Sequence, residues 1–279
     1  MILSVSNIAW APDERMTAYD QMTRSGLTGL EIAPALFFDA ADDPFVPDTA
    51  AAESAMSEIV AHGISLVSMQ SLLFGVQGAA LFGDTTERGA FEKGMTRAID
   101  LAGRFGIPNL VFGSPKNRGI PDGMTQKVAW AQGADIFRRL GDRASAAGTV
   151  IAMETNPKAY GTNFLNTLEE TVAFVALVNH PAVTLILDLG AMHMNGTYNS
   201  VAAQVGKLMP LLTHVHVSEP HLAPAPDASS DLRPILLALR DAGYAGAVSI
   251  EMKRPEDGVN VLDARFKALA RAARAEVHS

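Results

Sequence analysis

The sequence predicts an α/β fold of the closed (β/α)8 class, one domain over residues 1–279, on three observations. Eight short apolar, β-branched segments alternate with eight stretches of helical character, at spacings of about one strand, one helix and two loops. The segments are apolar on both alternations, as parallel strands buried on both faces must be, and eight of them favour a barrel over an open sheet. No shift in composition marks a second domain.

The elements follow in order. A first strand over 2–8 leads into a helix opened by Pro12 or Asp13 and closed near Gly26. Residues 29–33 make the second strand, stopped by Pro34. After a loop rich in Asp, Pro and Phe, Asp48 is a candidate N-cap for a helix to His62, where Gly63 suits the left-handed position beyond the helix end. The third strand, 64–69, is followed by a long glycine-containing excursion to Asp84, of the length expected for a lid or wall over a site. A helix from Thr86 to Phe105 closes on Gly106. The fourth strand, 109–112, feeds the loop Gly113-Ser-Pro-Lys-Asn-Arg-Gly119 and a long helix over 125–147. The fifth strand lies in Thr149-Val-Ile-Ala-Met-Glu-Thr-Asn156, followed by a helix over 167–178. The sixth is Thr184-Leu-Ile-Leu-Asp188, followed by a helix over 200–209, and the seventh runs from Thr213 to Val217. A helix over 232–242, a strand over 247–251 and a last helix over 262–276 complete eight units.

Composition limits the function. Hydrophobic residues make up 48% and charged residues 19%, which describes a globular chain with a large aliphatic core. A net charge of -8 and the absence of a Lys/Arg run argue against a nucleic-acid face, which needs basic residues to displace counterions. With no cysteine, neither disulfides nor thiolate metal sites exist. The first residues, Met1-Ile-Leu-Ser-Val-Ser-Asn7, lack a basic leader and already read as a strand. No apolar run is long enough to span a bilayer, so neither a membrane partner nor a signal peptide is expected, and a cytoplasmic address follows by default.

Four strands carry a metal-type ligand at or near their C-terminal ends: Glu154, Asp188, His216 and Glu251, separated by 34, 28 and 35 residues. Strand alternation puts Ala152 on the side of Glu154, Ile186 with Asp188, His214 with His216 and Ser249 with Glu251, while Ile151, Leu185, Leu187, Val215 and Ile250 face the helices. Any one acid could be a solvated strand end. Four ligands on consecutive strands would repel and desolvate one another unless a cation sat among them. Three carboxylates and one imidazole, without sulfur, suit Mn²⁺, Mg²⁺ or Co²⁺ better than a structural zinc site.

With these residues in place, the chain resembles the xylose-isomerase-like barrels of sugar isomerases and epimerases, and among them the ketose 3-epimerases. The resemblance covers essentially the whole chain and rests on METNP at 153–157, LDLGAMHMN at 187–195, HVHVSE at 214–219 and SIEM at 249–252. It implies that Glu154, Asp188, His216 and Glu251 hold one divalent metal and that Glu154 and Glu251 also shuttle the proton. It further implies that His193 contacts substrate, although two extra residues separate it from Asp188. The chemistry needs these residue types: a proton moved at a carbon next to a carbonyl leaves an enediolate, which a chelated Lewis acid stabilises. Return of the proton to the same carbon epimerises, and to its neighbour isomerises.

One departure concerns the substrate. The epimerases continue from His-x-His-x-x-Glu to an Arg that contacts it, whereas Glu219-Pro-His-Leu222 puts Leu222 there. Either His221 takes over, or the substrate is not a free ketohexose. Lys116 and Arg118 could supply a cation for a phosphate, a carboxylate or hydroxyls, or be solvated loop residues. Asn156, Tyr160 and Asn163 are further hydroxyl-binding candidates. Glu31 faces either the pocket or a buried partner, and His214 fills a layer below the metal. His62 and His180 read as structural. Trp10, Phe37, Phe38, Leu73 and Phe74 could wall a sugar or pack loops.

Two other activities fit a barrel of this kind. A lyase or dehydratase on a keto-sugar or keto-inositol uses the same stabilised enolate and differs in what leaves. A sugar-binding barrel without turnover would not need both Glu154 and Glu251. A multi-zinc abasic-site endonuclease would require additional histidines where this chain has Met69, Gln70 and Phe112. A homo-oligomer is compatible with the resemblance.

Overall fold

Residues 1–274 are described by a computed structural model. Eight parallel strands form a closed barrel in chain order: β1 (Ile2–Ser6), β2 (Gly29–Ile32), β3 (Ser65–Met69), β4 (Asn109–Phe112), β5 (Val150–Met153), β6 (Val183–Asp188), β7 (Leu212–Val217) and β8 (Ala247–Ile250). β1 closes on β8 with Ser4 opposite Ser249. The helices are α1 (Arg15–Ser25), α2 (Pro34–Phe37), α3 (Thr49–Ala61), α4 (Thr85–Phe105), α5 (Gln126–Ala146), α6 (Leu168–Val178), α7 (Leu189–Met194), α8 (Val201–Leu208), α9 (Arg233–Asp241) and α10 (Leu262–Arg274). The expected extension of the last helix beyond Arg274 lies outside the described residues. Among the described residues no helix is long and apolar enough to cross a membrane.

Side chains set the element ends. Asp48, Thr125 and Thr167 accept hydrogen bonds from the first turns of α3, α5 and α6. Asp84 and Glu87 form a reciprocal capping box at the start of α4. β1 ends at Ser6, short of the predicted Ile8, because the Asn7 side chain takes up the backbone of Ala33 and the chain turns. Pro34 stops β2 as expected, but its fixed φ also opens α2.

By internal packing the chain falls into two compact units. One comprises residues 1–67, 188–210 and 214 onward, the other 68–187 and 211–213. In the first, the Ser4 hydroxyl donates to that of Ser249 in the interior. Gly29 lies so close to Ser4 that an added Cβ would stand 2.7 Å from the Ser4 Cβ. In the second, Val111, Ala152 and Ile186 form a buried apolar cluster. Below it a polar chain runs from Ser68 through Asn109 to Thr213 and Thr184. Phe112, Phe137, Phe174 and Phe164 pack edge to face behind β4, with centroids 5.0 to 6.0 Å apart.

The approach at Gly29 predicts that Gly29→Ala destabilises the protein by ~1–3 kcal/mol through overpacking. Urea unfolding midpoints check this, and an unchanged midpoint would show that the strands separate at no cost.

Candidate metal centre

β7 delivers two imidazoles to one buried carboxylate. His214 Nε2 lies 2.9 Å from Glu31 Oε2, and His216 Nε2 lies 3.0 and 3.1 Å from the two Glu31 oxygens. All three side chains are fully buried. Burial by itself would raise the Glu31 carboxyl, but the two imidazoles outweigh it and hold Glu31 well below the usual carboxylate range. These three residues also lie close enough together to be considered as a metal group. Glu31 is hydrogen-bonded to His216 Nε2 and in ion-pair contact with His214, so the carboxylate is already engaged by both rings.

The other edge of His216 meets acids. Its Nδ1 lies 3.2 Å from Glu251 Oε2 and 3.6 Å from Asp188 Oδ2. With Nε2 against Glu31, the Nδ1 edge faces two carboxylates, an arrangement that needs a proton or a cation between them. Asp188 is fixed twice over. Its Oδ1 caps α7 by accepting from Ala191 N, and its Oδ2 accepts from Ser218 Oγ at 2.7 Å. Glu251 follows β8, its backbone N–H donating to Val217 O.

Glu154 follows β5. Its Oε2 accepts from Asn156 Nδ2 at 2.8 Å, and a Cβ at Gly113 would overlap the carboxylate. One ligand atom from each of Glu154, Asp188, His216 and Glu251 lies within 4.8 Å of the others. Three carboxylates and one imidazole, with no thiolate, make a donor set that fits a hard divalent cation.

Residues 20–274 match the family described as the xylose isomerase-like TIM barrel. The chain belongs to that family. Within it, the chain is 27% identical over 212 residues to a ketose 3-epimerase from Arthrobacter globiformis, covering 75% of this chain and 70% of the relative. It is 32% identical over 121 residues to an L-ribulose 3-epimerase from Methylomonas, covering 43% and 41%, so that match spans about two fifths of the relative's length. The solved 3-keto-D-glucoside 4-epimerase of E. coli shares the fold with a TM-score of 0.75 at 20% identity, over 97% of this chain and 99% of that one.

Not every residue singled out in the sequence stands with this group of the xylose isomerase-like barrel. Arg118 was expected to reach substrate from the strand-four loop. It is instead fully buried, with Nη1 donating to Glu154 O and Nη2 to Leu165 O. Lys116, two residues earlier, is exposed. Asn163 is spent on both backbone groups of Ile120, whereas Asn156 stands with the group, its Nδ2 on Glu154 Oε2. His193 lies on α7, a helix the sequence reading did not anticipate and which contains the two extra residues. Its ring stacks on Tyr198 at 3.7 Å, and its Nε2 lies 3.2 Å from Ser230 Oγ and 3.7 Å from Glu219 Oε2. His221 and Leu222 both have positive φ, a strained backbone for side chains of their kind. His62 and His180 make local contacts of a structural kind, with Glu58 O and Asp20 and with Asp142 and Ala182 N. Trp10 packs against Tyr19, whereas Phe74 is exposed.

The sequence left the role of Glu31 open. Its signal was the carboxylate inside an otherwise apolar β2 segment, Gly29-Leu-Glu-Ile32. Glu31→Leu is expected to cost on the order of 3 kcal/mol by removing the carboxylate that accepts from His216 and pairs with His214, both buried. Glu31→Gln, which keeps a carbonyl, is expected to cost less. Chemical denaturation compares the two, and equal losses would contradict the hydrogen-bond assignment.

Proposed function

We propose that this barrel is a divalent-metal-dependent epimerase or isomerase of a ketose or related small keto-sugar, with Glu154, Asp188, His216 and Glu251 as the metal ligands. The observation that carries the reading is the Nδ1 edge of His216, 3.2 Å from Glu251 and 3.6 Å from Asp188, while Glu31 takes the opposite edge. Mn²⁺ is the first choice of ion, since the ligands are mostly oxygen. The names of the relatives, ketose 3-epimerase and L-ribulose 3-epimerase, support a ketose as the substrate.

A divalent ion in this position supplies a Lewis acid to the substrate carbonyl and the neighbouring hydroxyl. The protein supplies the proton transfers. Glu154 and Glu251 follow different strands, β5 and β8, and one removes the proton from the carbon next to the carbonyl while the other returns it. Asn156 holds Glu154 Oε2 at 2.8 Å and so fixes the direction from which that carboxylate acts. His193 and His221 are assigned to substrate hydroxyls, and Lys116 to an anionic or polar substituent at the rim. The cytoplasm is the proposed location.

The test is deuterium exchange from solvent into D-fructose, D-psicose, D-tagatose and L-ribulose, followed by NMR with and without Mn²⁺. Exchange at the carbon beside the carbonyl, abolished by EDTA, is expected with at least one of them. Glu154→Gln and Glu251→Gln should each lower it by about 10²–10⁴-fold. Exchange that survives thorough chelation, or that is insensitive to both substitutions, would refute the assignment. The product spectrum separates epimer, isomer and eliminated sugar.

A further inference from the structure

We propose that Arg118 is a positioning residue that sets the Glu154 carboxylate through its backbone, an inference that rests on the role given to Glu154 above. The structure joins Arg118, Glu154, Asn156 and Leu165 in a closed circuit. Arg118 Nη1 donates to Glu154 O at 2.8 Å and Nη2 to Leu165 O at 3.2 Å. The same Leu165 carbonyl accepts from Asn156 N at 3.0 Å, and Asn156 Nδ2 returns to Glu154 Oε2 at 2.8 Å. Glu154 is therefore held at its carbonyl by Arg118, at its amide by Phe112 O and at its carboxylate by Asn156.

The chemistry of the clamp is specific. Two carbonyls from opposite ends of a loop are bridged by one planar fork, which a single ammonium cannot reproduce. Leu165 adopts a positive φ, an uncommon conformation for a branched side chain, where its carbonyl meets both donors. The rings of Phe112 and Phe164 flank the guanidinium at 6.0 and 5.9 Å. Arg118 is fully buried, its Nε has no hydrogen-bond partner, and its two hydrogen bonds go to carbonyls. A guanidinium keeps its proton in a protein, so Arg118 brings a positive charge to this loop. A buried guanidinium whose hydrogen bonds go to carbonyls is an expensive loop fastener. A neutral amide could brace a carbonyl, whereas a cation also attracts the neighbouring carboxylate.

Two measurements on Arg118→Met decide the matter. The first is its crystal structure, in which the Glu154 carboxylate should have left Asn156 Nδ2. A carboxylate still within hydrogen-bond distance would overturn the proposal whether or not the protein binds metal. The second is a double-mutant cycle on Mn²⁺ affinity, read by chelator competition. Arg118→Met and Glu154→Gln should each weaken binding by about 10–100-fold, and the pair together no more than Glu154→Gln alone. Independent, multiplying losses, or a lower melting temperature with unchanged affinity, would reduce Arg118 to a loop fastener and contradict the proposal. A wild-type protein that binds no Mn²⁺ would refute the metal assignment, and the crystal structure alone would then decide the role of Arg118. Should Arg118→Met not fold, Arg118→Lys retains the cation without the fork and is expected to show the same displacement of Glu154. In turnover the loss should fall on kcat and leave KM nearly unchanged.

Discussion

The contact between Glu31 and His216 governs the chemistry available at the ends of the strands. An imidazole among carboxylates can turn either nitrogen toward them and can carry either one proton or two. A fully buried Glu31 with both oxygens 3.0 to 3.1 Å from Nε2 selects the orientation and, for a neutral ring, the tautomer. In that tautomer Nδ1 is an acceptor facing acceptors, a set of donors suited to a cation. His214 completes the arrangement by sharing the same carboxylate. Without Glu31, two imidazoles and the acids around them would be free to pair with each other as ordinary ion pairs.

The backbone architecture makes this economical. A parallel strand brings its last inward side chain to the barrel mouth, and the loop that follows can begin a helix. Asp188 exploits both facts, ending β6 and capping α7 with one carboxylate oxygen while the other meets Ser218. The same principle holds around Glu154, where a glycine at 113 leaves room for the carboxylate and Asn156 fixes its direction. Rigid hydrogen-bonded surroundings matter because a base displaced by even 1 Å from its proton loses much of its rate.

Much of this was legible in the sequence for a simple physical reason. Apolar β-branched runs ending in a ligand can be recognised wherever they occur, and their spacing of about one strand plus one helix groups Glu154, Asp188, His216 and Glu251 as a set. The bounds of β4 are read without error, and those of the longer helices within one or two residues. What escaped depends on tertiary partners. Leu189-Gly-Ala-Met-His-Met194 is too short to show helical periodicity, and its start is set by the Asp188 cap. Arg118 reads as an exposed loop cation because nothing local reveals that Phe112, Phe164 and the carbonyls of Glu154 and Leu165 enclose it. Glu31 was recognised as unusual, but its partners are about 185 residues away along the chain, a distance that no local pattern spans.

The most direct measurement is an anomalous-scattering crystal structure of the protein soaked with Mn²⁺. One strong peak is expected within about 2–2.5 Å of His216 Nδ1 and of oxygens from Glu154, Asp188 and Glu251, with Glu31 still bonded to Nε2. A peak on the opposite edge of the ring, between Glu31 and His214, or no peak at saturating Mn²⁺, would contradict the metal assignment.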